Sequence, residues 1–484
     1  MNGDANRRIL FRRNGVEGVF LPQMWQAESE IARRLRDLQA ASQTIMDGTV
    51  DAQIRNFEKA KGISFSPTQK KAISMAAQQG LLVITGGPGT GKTTIINCIL
   101  SLLDSESVLL AAPTGRAAKR MSEATGEEAK TIHRLLEYGG DSGAFARSED
   151  YPLECDCLIV DEMSMVDVTL MRGLMRAVLP GTRVILVGDA DQLPSVGAGN
   201  VLKDILDSDV VPSIRLTDIF RQDESSMIVL NAHRINHGEM PVLRSRDTDF
   251  FFTRKVLQSE AAQAICDLLR SRLPKYLGFP REQWQAQATR CIQVLTPTKK
   301  GDCGAANLNR LLQETLNPER PGVDSLLHGE TEYRVGDKVI QTKNDYQIEY
   351  TRQTPFGPEE GQGVFNGDVG YIERIDPAEH MMTVLFDDDR VVTYQKQQLD
   401  ALDLAYSLTV HKSQGSEFPV VVMPVVGGPP MLMARNLLYT ALTRARQLVV
   451  LVGREDVIRQ MVENNHVLKR YTTLCDRLKA AIQL

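Results

Sequence analysis

Apolar residues between Met24 and Leu38 fall at Met24, Ala27, Ile31, Leu35 and Leu38, the three-and-four spacing that predicts an amphipathic helix. A second helix is predicted over SPTQKKAISMAAQQ, where Ser66 can cap the first turn and Pro67 takes the first helical position. The pattern then changes to short unbroken apolar runs: LLVIT, VLLAAP, CLIVDE and RVILVGD. Each is of strand length, and polar or glycine-rich sequence and a helical segment follow it, as for parallel strands covered on both faces. RCIQVLTPT, FPVVVMPVV and QLVVLVG predict a second parallel sheet further along. From about Tyr333 to Leu399 the chain alternates instead, through YRVGDKVIQT, NGDVGYIERID and HMMTVLFDDDRVVTY. Gly-Asp and Asn-Gly turns separate these strands, which predicts a small antiparallel barrel inserted in the second α/β domain.

At 484 residues the chain exceeds one ordinary core, and about 150 residues per domain predicts three units. A composition of 42% hydrophobic and 24% charged residues is that of a soluble globular protein. The longest apolar candidate, VVVMPVVGGPPMLM, is broken by Gly and Pro, so no membrane span is predicted. The N-terminal NRRILFRRNG lacks the apolar stretch of a signal peptide, which makes the cytoplasm the default location. The 7 cysteines match no zinc spacing, and Cys155 and Cys157 read as buried thiols at the start of a strand. A net charge of -5 gives no overall attraction to phosphate backbones, so any nucleic-acid binding must come from a local groove.

GGPGTGKTT is the strongest chemical signal. It spans Gly86, Gly87, Pro88, Gly89, Thr90, Gly91, Lys92, Thr93 and Thr94, follows the strand LLVIT and opens a helix, the context a phosphate loop requires. Its glycines turn backbone N–H groups towards phosphate oxygens, with the positive end of the helix behind them. Lys92 is then expected on the β- and γ-phosphates, and Thr93 on Mg²⁺. LIVDE ends a strand with Asp161 and Glu162, which suit metal binding and activation of the attacking water. Paired acids also serve as helix caps or solvated strand ends; the phosphate loop upstream favours catalysis. Gln192 in VGDADQLPSVGAG carries an amide able to sense a γ-phosphate, although alone it reads as a turn residue. Arg221 in LTDIFRQ and Arg444 in LYTALTRARQ offer the charged fork that stabilises phosphoryl transfer. Arg446 competes with Arg444, and two such residues on a helix would point to different faces. In LTVHKSQGSEFPVVVM, His411, Lys412 and Glu417 leave three readings open: an acid/base cluster, a nucleic-acid contact or a plain strand-leading loop.

The order GGPGTGKTT, APTGRAAKR, TIHRLL, IVDEMSMVD, GDADQLPSVGAG, IFRQ, LTPTKKG, TVHKSQGSEF and YTALTRAR resembles the motif series of superfamily 1B DNA helicases, most closely their RecD-like branch, from about Gln69 to Arg446. The resemblance implies an α/β fold of two RecA-like parallel-sheet P-loop domains in tandem, with ATP in the cleft between them and an SH3-like barrel inserted in the second. The boundaries expected are an N-terminal extension at 1–54 and a first motor domain at 55–215 with a pin-like segment near 137–155. A second motor domain is expected at 216–325 and 400–484, and the barrel at 326–399. The matching positions make Gln69 the adenine-reading residue. They put Lys92, Thr93, Asp161, Glu162, Gln192, Arg221 and Arg444 in the catalytic set, with Mg²⁺ accompanying ATP as substrate on Thr93 and Asp161. Thr114, Arg116, His133, Thr296, Thr298 and Lys299 match DNA-facing loops, and Lys119 is a further candidate cation. His411, Lys412 and Ser413 are expected on DNA, with the turn from Gly415 to Glu417 nearer the nucleotide.

The same resemblance implies an ATP-dependent, 5′-to-3′ single-stranded DNA translocase and helicase of DNA repair and recombination, binding without sequence preference and acting on tailed duplexes, as a monomer. Family members of the long type carry a larger N-terminal region than the fifty or so residues present here, and ILFRRNGVEGVFLP with the Trp25 helix resembles its tail, as in a truncated form. The strand-splitting pin would fall in EYGGDSGAFARSEDYPLEC, a short polar segment in which Phe145 is the aromatic nearest the expected tip. Two other readings remain: a nucleotide-switched ATPase acting as an interaction protein, supported by the first domain's motifs alone, and an RNA helicase, since no 2′-OH reader is evident either way.

Overall fold

Leu81, Val83, Leu158, Val160, Val184 and Leu186 lie in one apolar cluster, while their neighbours Leu82, Ile84, Ile159, Ile185 and Val187 lie in another. Side chains alternate across a strand, so a strand with no polar face must be covered on both sides. The computed structural model describes residues 9–13, 16–41, 47–103, 107–139, 143–218, 226–244, 248–354, 357–465 and 470–480. It divides into two compact units, residues 1–224 with 468–484 and residues 225–467.

The first unit holds a six-stranded sheet in the order Ser213–Leu216, Leu81–Gly86, Arg183–Gly188, Cys157–Val160, Val108–Ala112, Ala129–Thr131, every pairing parallel. Helices Pro22–Ala40 and Val168–Ala177 cover one face through Ile31, Leu35, Met171 and Leu174. Helices Pro67–Gln78 and Lys92–Leu102 cover the other through Ile73, Ala76, Ile95 and Ile99. The predicted cap is present: Ser66 Oγ accepts from Gln69 N–H, and Gln69 Oε1 accepts from Ser66 N–H at 2.8 Å.

Residues 468–484, expected with the second domain, belong to the first unit. Helix Leu474–Ala480 buries Leu474 and Leu478 among Ala27, Ile31 and Leu35. The physical reason is as much polar as apolar. Glu28 is only 2% exposed, a carboxylate that cannot stay buried without donors, and Thr473 supplies both its N–H and its hydroxyl. Arg477 lies 3.9 Å from the centre of the Trp25 ring, and Arg470 donates to the carbonyls of Ser195, Gly197 and Gly199. Leu474→Ala is expected to destabilise the first unit by about 2–5 kcal/mol, read as an earlier denaturant midpoint for that unit's transition.

The second unit holds a five-stranded parallel sheet in the order Phe250–Arg254, Ala445–Gly453, Phe418–Val425, Ile292–Thr296, Ser407–Thr409. Between two of its strands the chain forms a seven-stranded antiparallel sheet, Gly357–Val364, Asp345–Thr354, Arg390–Tyr394, Met381–Phe386, Val369–Asp376, Lys338–Gln341 and Leu402–Leu404. The alternation predicted this insertion, whose last strand runs slightly past the expected limit at 399. Phe386, Val392 and Tyr394 join Ile292, Val294 and Val420 in a single apolar cluster, so the insertion shares a core with its host sheet. Among the described residues no helix is long and apolar enough to cross a membrane. All 7 cysteines are free, and burial pushes the Cys155 thiol up to about 11.

Candidate active site

The phosphate loop leaves the strand Leu81–Gly86 and enters the helix Lys92–Leu102 through Gly89 at φ 71° and Gly91 at φ 79°, left-handed positions that favour glycine. Gly86 needs its missing side chain for a different reason: a Cβ there would lie 2.8 Å from Thr90 Oγ1 and 2.9 Å from Leu216 Cβ. Thr90 Oγ1 donates to the Gly87 carbonyl at 2.8 Å, and Gln69 Nε2 donates to the Thr90 carbonyl at 2.9 Å. Gln69, buried at 3% exposure, thus ties the start of its helix to the loop through both ends of one amide. Lys92 Nζ donates to the carbonyls of Gly86 and Gly87 at 2.7 and 2.9 Å. Thr93, next along the helix, is exposed, and Thr94 is half-buried.

Asp161 and Glu162 follow the strand Cys157–Val160, with the strand Arg183–Gly188 between it and the strand of the phosphate loop. The carboxyl ends of parallel strands are where α/β sheets place ligands. Both acids are buried, at 7% and 6% exposure. Burial first, then the neighbouring Glu162 charge, raises the Asp161 carboxyl above the usual range, while Arg120 and Lys92 pull it down. Asp161 Oδ1 accepts from the Glu162 N–H at 2.8 Å. Glu162 itself is at φ 55°, ψ 40°, a left-handed conformation uncommon for a bulky residue. Arg120, on the helix Gly115–Thr125, bridges the pair: its Nη2 is 2.8 Å from Glu162 Oε1 and 3.6 Å from Asp161 Oδ2. It stands within APTGRAAKR, but nothing in the linear spacing reveals that it reaches two acids some forty residues away.

Gln192 Nε2 donates to Asp189 Oδ2 at 3.0 Å just past the strand Arg183–Gly188, so this amide belongs to the same end of the sheet. Thr114 caps the helix Gly115–Thr125 by accepting from Ala117 N–H, and Arg116 and Lys119 are half-buried on its first turns. His133 is half-buried with its ring 5.6 Å from Tyr138 and 5.8 Å from Phe145, and burial lowers its pKa. Phe145 is turned towards the core: a Cβ on Gly173 would lie 2.5 Å from its ring. It pairs with Tyr138 in the two-stranded hairpin Tyr138–Gly139 and Ala144–Phe145. Arg221 lies outside the described residues.

In the second unit Thr296 is fully buried, its hydroxyl donating to the Cys303 carbonyl at 2.6 Å. Thr298 Oγ1 donates to the Lys300 carbonyl, and Lys299 is exposed. HKSQGSEF begins as a short 3₁₀ turn, Val410–Ser413, capped by Thr409. His411 and Lys412 face solvent, with Lys412 Nζ 3.1 Å from Asp403, whereas Ser413 is buried and donates to the Val410 carbonyl. Gly415 is at φ 73°, and Glu417 pairs with Arg446 at 2.8 Å. Arg444 and Arg446 do not share a helix: helix Arg435–Leu442 ends before them and Arg446 lies on the strand Ala445–Gly453. Arg444 is 2% exposed and donates to the Ser416 carbonyl, which joins TVHKSQGSEF to YTALTRAR within one unit.

Residues 69–198 match the AAA domain family, residues 308–386 the ATP-dependent RecD-like DNA helicase SH3 domain, and residues 404–452 the UvrD-like helicase C-terminal domain. The chain is 36% identical over 468 residues to the ATP-dependent RecD2 DNA helicase of Deinococcus radiodurans, covering 96% of this chain and 59% of that protein. It therefore spans less than two thirds of that relative's length. To the RecBCD enzyme subunit RecD of Mycolicibacterium smegmatis it is 31% identical over 495 residues, covering 96% of this chain and 82% of that subunit. Among solved structures, the Pif1 helicase from Bacteroides in complex with ADP-AlF3 and ssDNA aligns over 87% of this chain and 98% of its own, at 20% identity and a TM-score of 0.48.

Proposed function

This chain belongs to the RecD-like branch of the superfamily 1B DNA helicases, and from that premise we propose that it hydrolyses ATP to move 5′-to-3′ along single-stranded DNA and to open tailed duplexes. The observation that carries the reading is the arrival of the phosphate loop and the buried Asp161–Glu162 pair at the same end of one parallel sheet. Lys92 and the loop's N–H groups hold the β- and γ-phosphates, and Glu162 takes the proton of the attacking water. Gln69, expected on the base, acts by bracing the loop, since both ends of its amide are engaged inside. Gln192 senses the γ-phosphate, and Arg221 and Arg444 stabilise its developing charge.

The donor set supports Mg²⁺. Two buried carboxylates face one arginine, an excess of negative charge that a hard dication on oxygen ligands would relieve. Thr93 and Asp161 would hold the ion, which supplies charge neutralisation to the phosphate oxygens. DNA is held without base readout, by the half-buried Thr114 and Arg116 on the first unit and by the exposed Lys299, His411 and Lys412 on the second. Thr296 and Ser413 act there by shaping their loops, since their hydroxyls are engaged with carbonyls inside.

Displacement assays on duplexes with 5′ and 3′ tails test the proposal. ATP-dependent opening of the 5′-tailed duplex alone is expected, together with strong stimulation of hydrolysis by a single-stranded oligonucleotide. Opening of the 3′-tailed duplex would overturn the polarity. Equal hydrolysis with and without DNA would favour the nucleotide-switched interaction protein, and stronger stimulation by RNA of equal length the RNA helicase.

A further inference from the structure

We infer that Arg120 is a positioning residue that restrains Glu162 and makes release of that carboxylate depend on what occupies the Thr114–Arg116 segment at the start of its own helix. The inference rests on the proposal that this segment meets DNA. Arg120 is 22% exposed, whereas the Glu162 and Asp161 side chains it bridges are 8% and 10% exposed, so the ion pair lies at the mouth of a buried acid pair.

The charge-assisted hydrogen bond from the guanidinium engages Glu162 Oε1, and a carboxylate oxygen so held is not free to turn to the attacking water. The same guanidinium, 3.6 Å from Asp161, sets a positive charge beside the carboxylate proposed to bind Mg²⁺. With Arg120 in this position one of the two acid charges is offset and Glu162 is poorly disposed for chemistry. Glu162 at φ 55° is held in a conformation that costs free energy in isolation, and the Arg120 bond helps to keep it there.

What makes the contact adjustable is the seating of the helix Gly115–Thr125. Ala117 and Ala118 pack on Ala112 and Ala129, and Met121 is its one large buried side chain. Short alanine side chains interlock little, so the helix can shift as a body at low cost. Thr114 and Arg116 stand at its N-terminal end, where helix polarity favours an incoming phosphate. Arg120 follows Arg116 by one turn, so a displacement imposed at the first turn is carried to the guanidinium with little loss.

Hydrolysis by full-length Arg120→Gln and Arg120→Met, with and without saturating oligothymidylate, tests the inference. The DNA-free rate is expected to rise about tenfold, the value of a charge-assisted bond of about 1.5 kcal/mol. The DNA-saturated rate should stay within twofold, so the stimulation ratio collapses, and Arg120→Lys should restore most of the restraint. A parallel fall of both rates, or an unchanged DNA-free rate in folded variants, overturns it. Melting temperatures identify any variant that fails to fold, and the methionine variant keeps the packing of the aliphatic stem. The two readings fail differently: a wild type that DNA does not stimulate overturns the translocase, whereas a stimulated wild type beside variants of unchanged DNA-free rate overturns the role of Arg120 alone.

Discussion

Lys92→Ala is expected to lower ATP hydrolysis by about two to three orders of magnitude, the usual loss when one preorganised donor to a developing charge is removed, and to abolish duplex displacement. Lys92 Nζ donates to the carbonyls of Gly86 and Gly87, the first residues of the loop. A phosphate entering the loop would compete for that ammonium with two neutral carbonyls, an exchange that favours the anion because charge-assisted bonds are the stronger. The loop itself should keep its shape. Its turns depend on Gly89 and Gly91 in left-handed conformations, on the Thr90 hydroxyl bonded to Gly87, and on Gln69 bonded to Thr90, none of which involves Lys92. Melting temperature should therefore move little while steady-state hydrolysis collapses. Retention of hydrolysis within twofold would mean that phosphate is held elsewhere.

That separation of shape from chemistry also explains which features are legible in the chain. The phosphate loop is contiguous, and its flanking strand and helix are coded by local periodicity, so its existence and its position on the fold follow from a short stretch. The inserted antiparallel sheet is legible for the same reason, since alternation and Gly-Asp turns are local. Features that depend on residues far apart are not. Residues 470–480 follow the last strand of the second unit in sequence, yet the donors that buried Glu28 requires are on Thr473, and no spacing rule links positions 28 and 473. Nothing in the sequence around Arg120 sets it apart from a solvated helix charge; only the fold brings it against Glu162. Within the motif strings, identity does not reveal exposure: Thr296 and Ser413 read like Thr114, but they are buried with their hydroxyls in loop-shaping bonds, while Thr114 is half-buried and caps a helix. Phe145 is expected near a pin tip from its segment, and the small residue Gly173 instead opens the space that accepts its ring.

Glu162→Gln separates binding from chemistry more cleanly than any change in the loop. The amide keeps the size of the carboxylate and can still accept from Arg120, so the left-handed backbone at position 162 and the packing of the 3₁₀ turn Met163–Met165 have no reason to change. It cannot take a proton from water. Loss of a positioned general base costs about 10² to 10⁴ in rate, and kcat is expected to fall in that range while a fluorescent ATP analogue binds within a few-fold of wild type. The substitution also removes one of the two causes that raise the Asp161 carboxyl, the neighbouring charge, and leaves the other, burial. Asp161 is then ionised at least as readily as before, so binding of the analogue should keep its dependence on divalent cation. A variant that lost analogue affinity in step with kcat would assign Glu162 to holding the nucleotide, and one that hydrolysed ATP at the wild-type rate would remove it from the reaction.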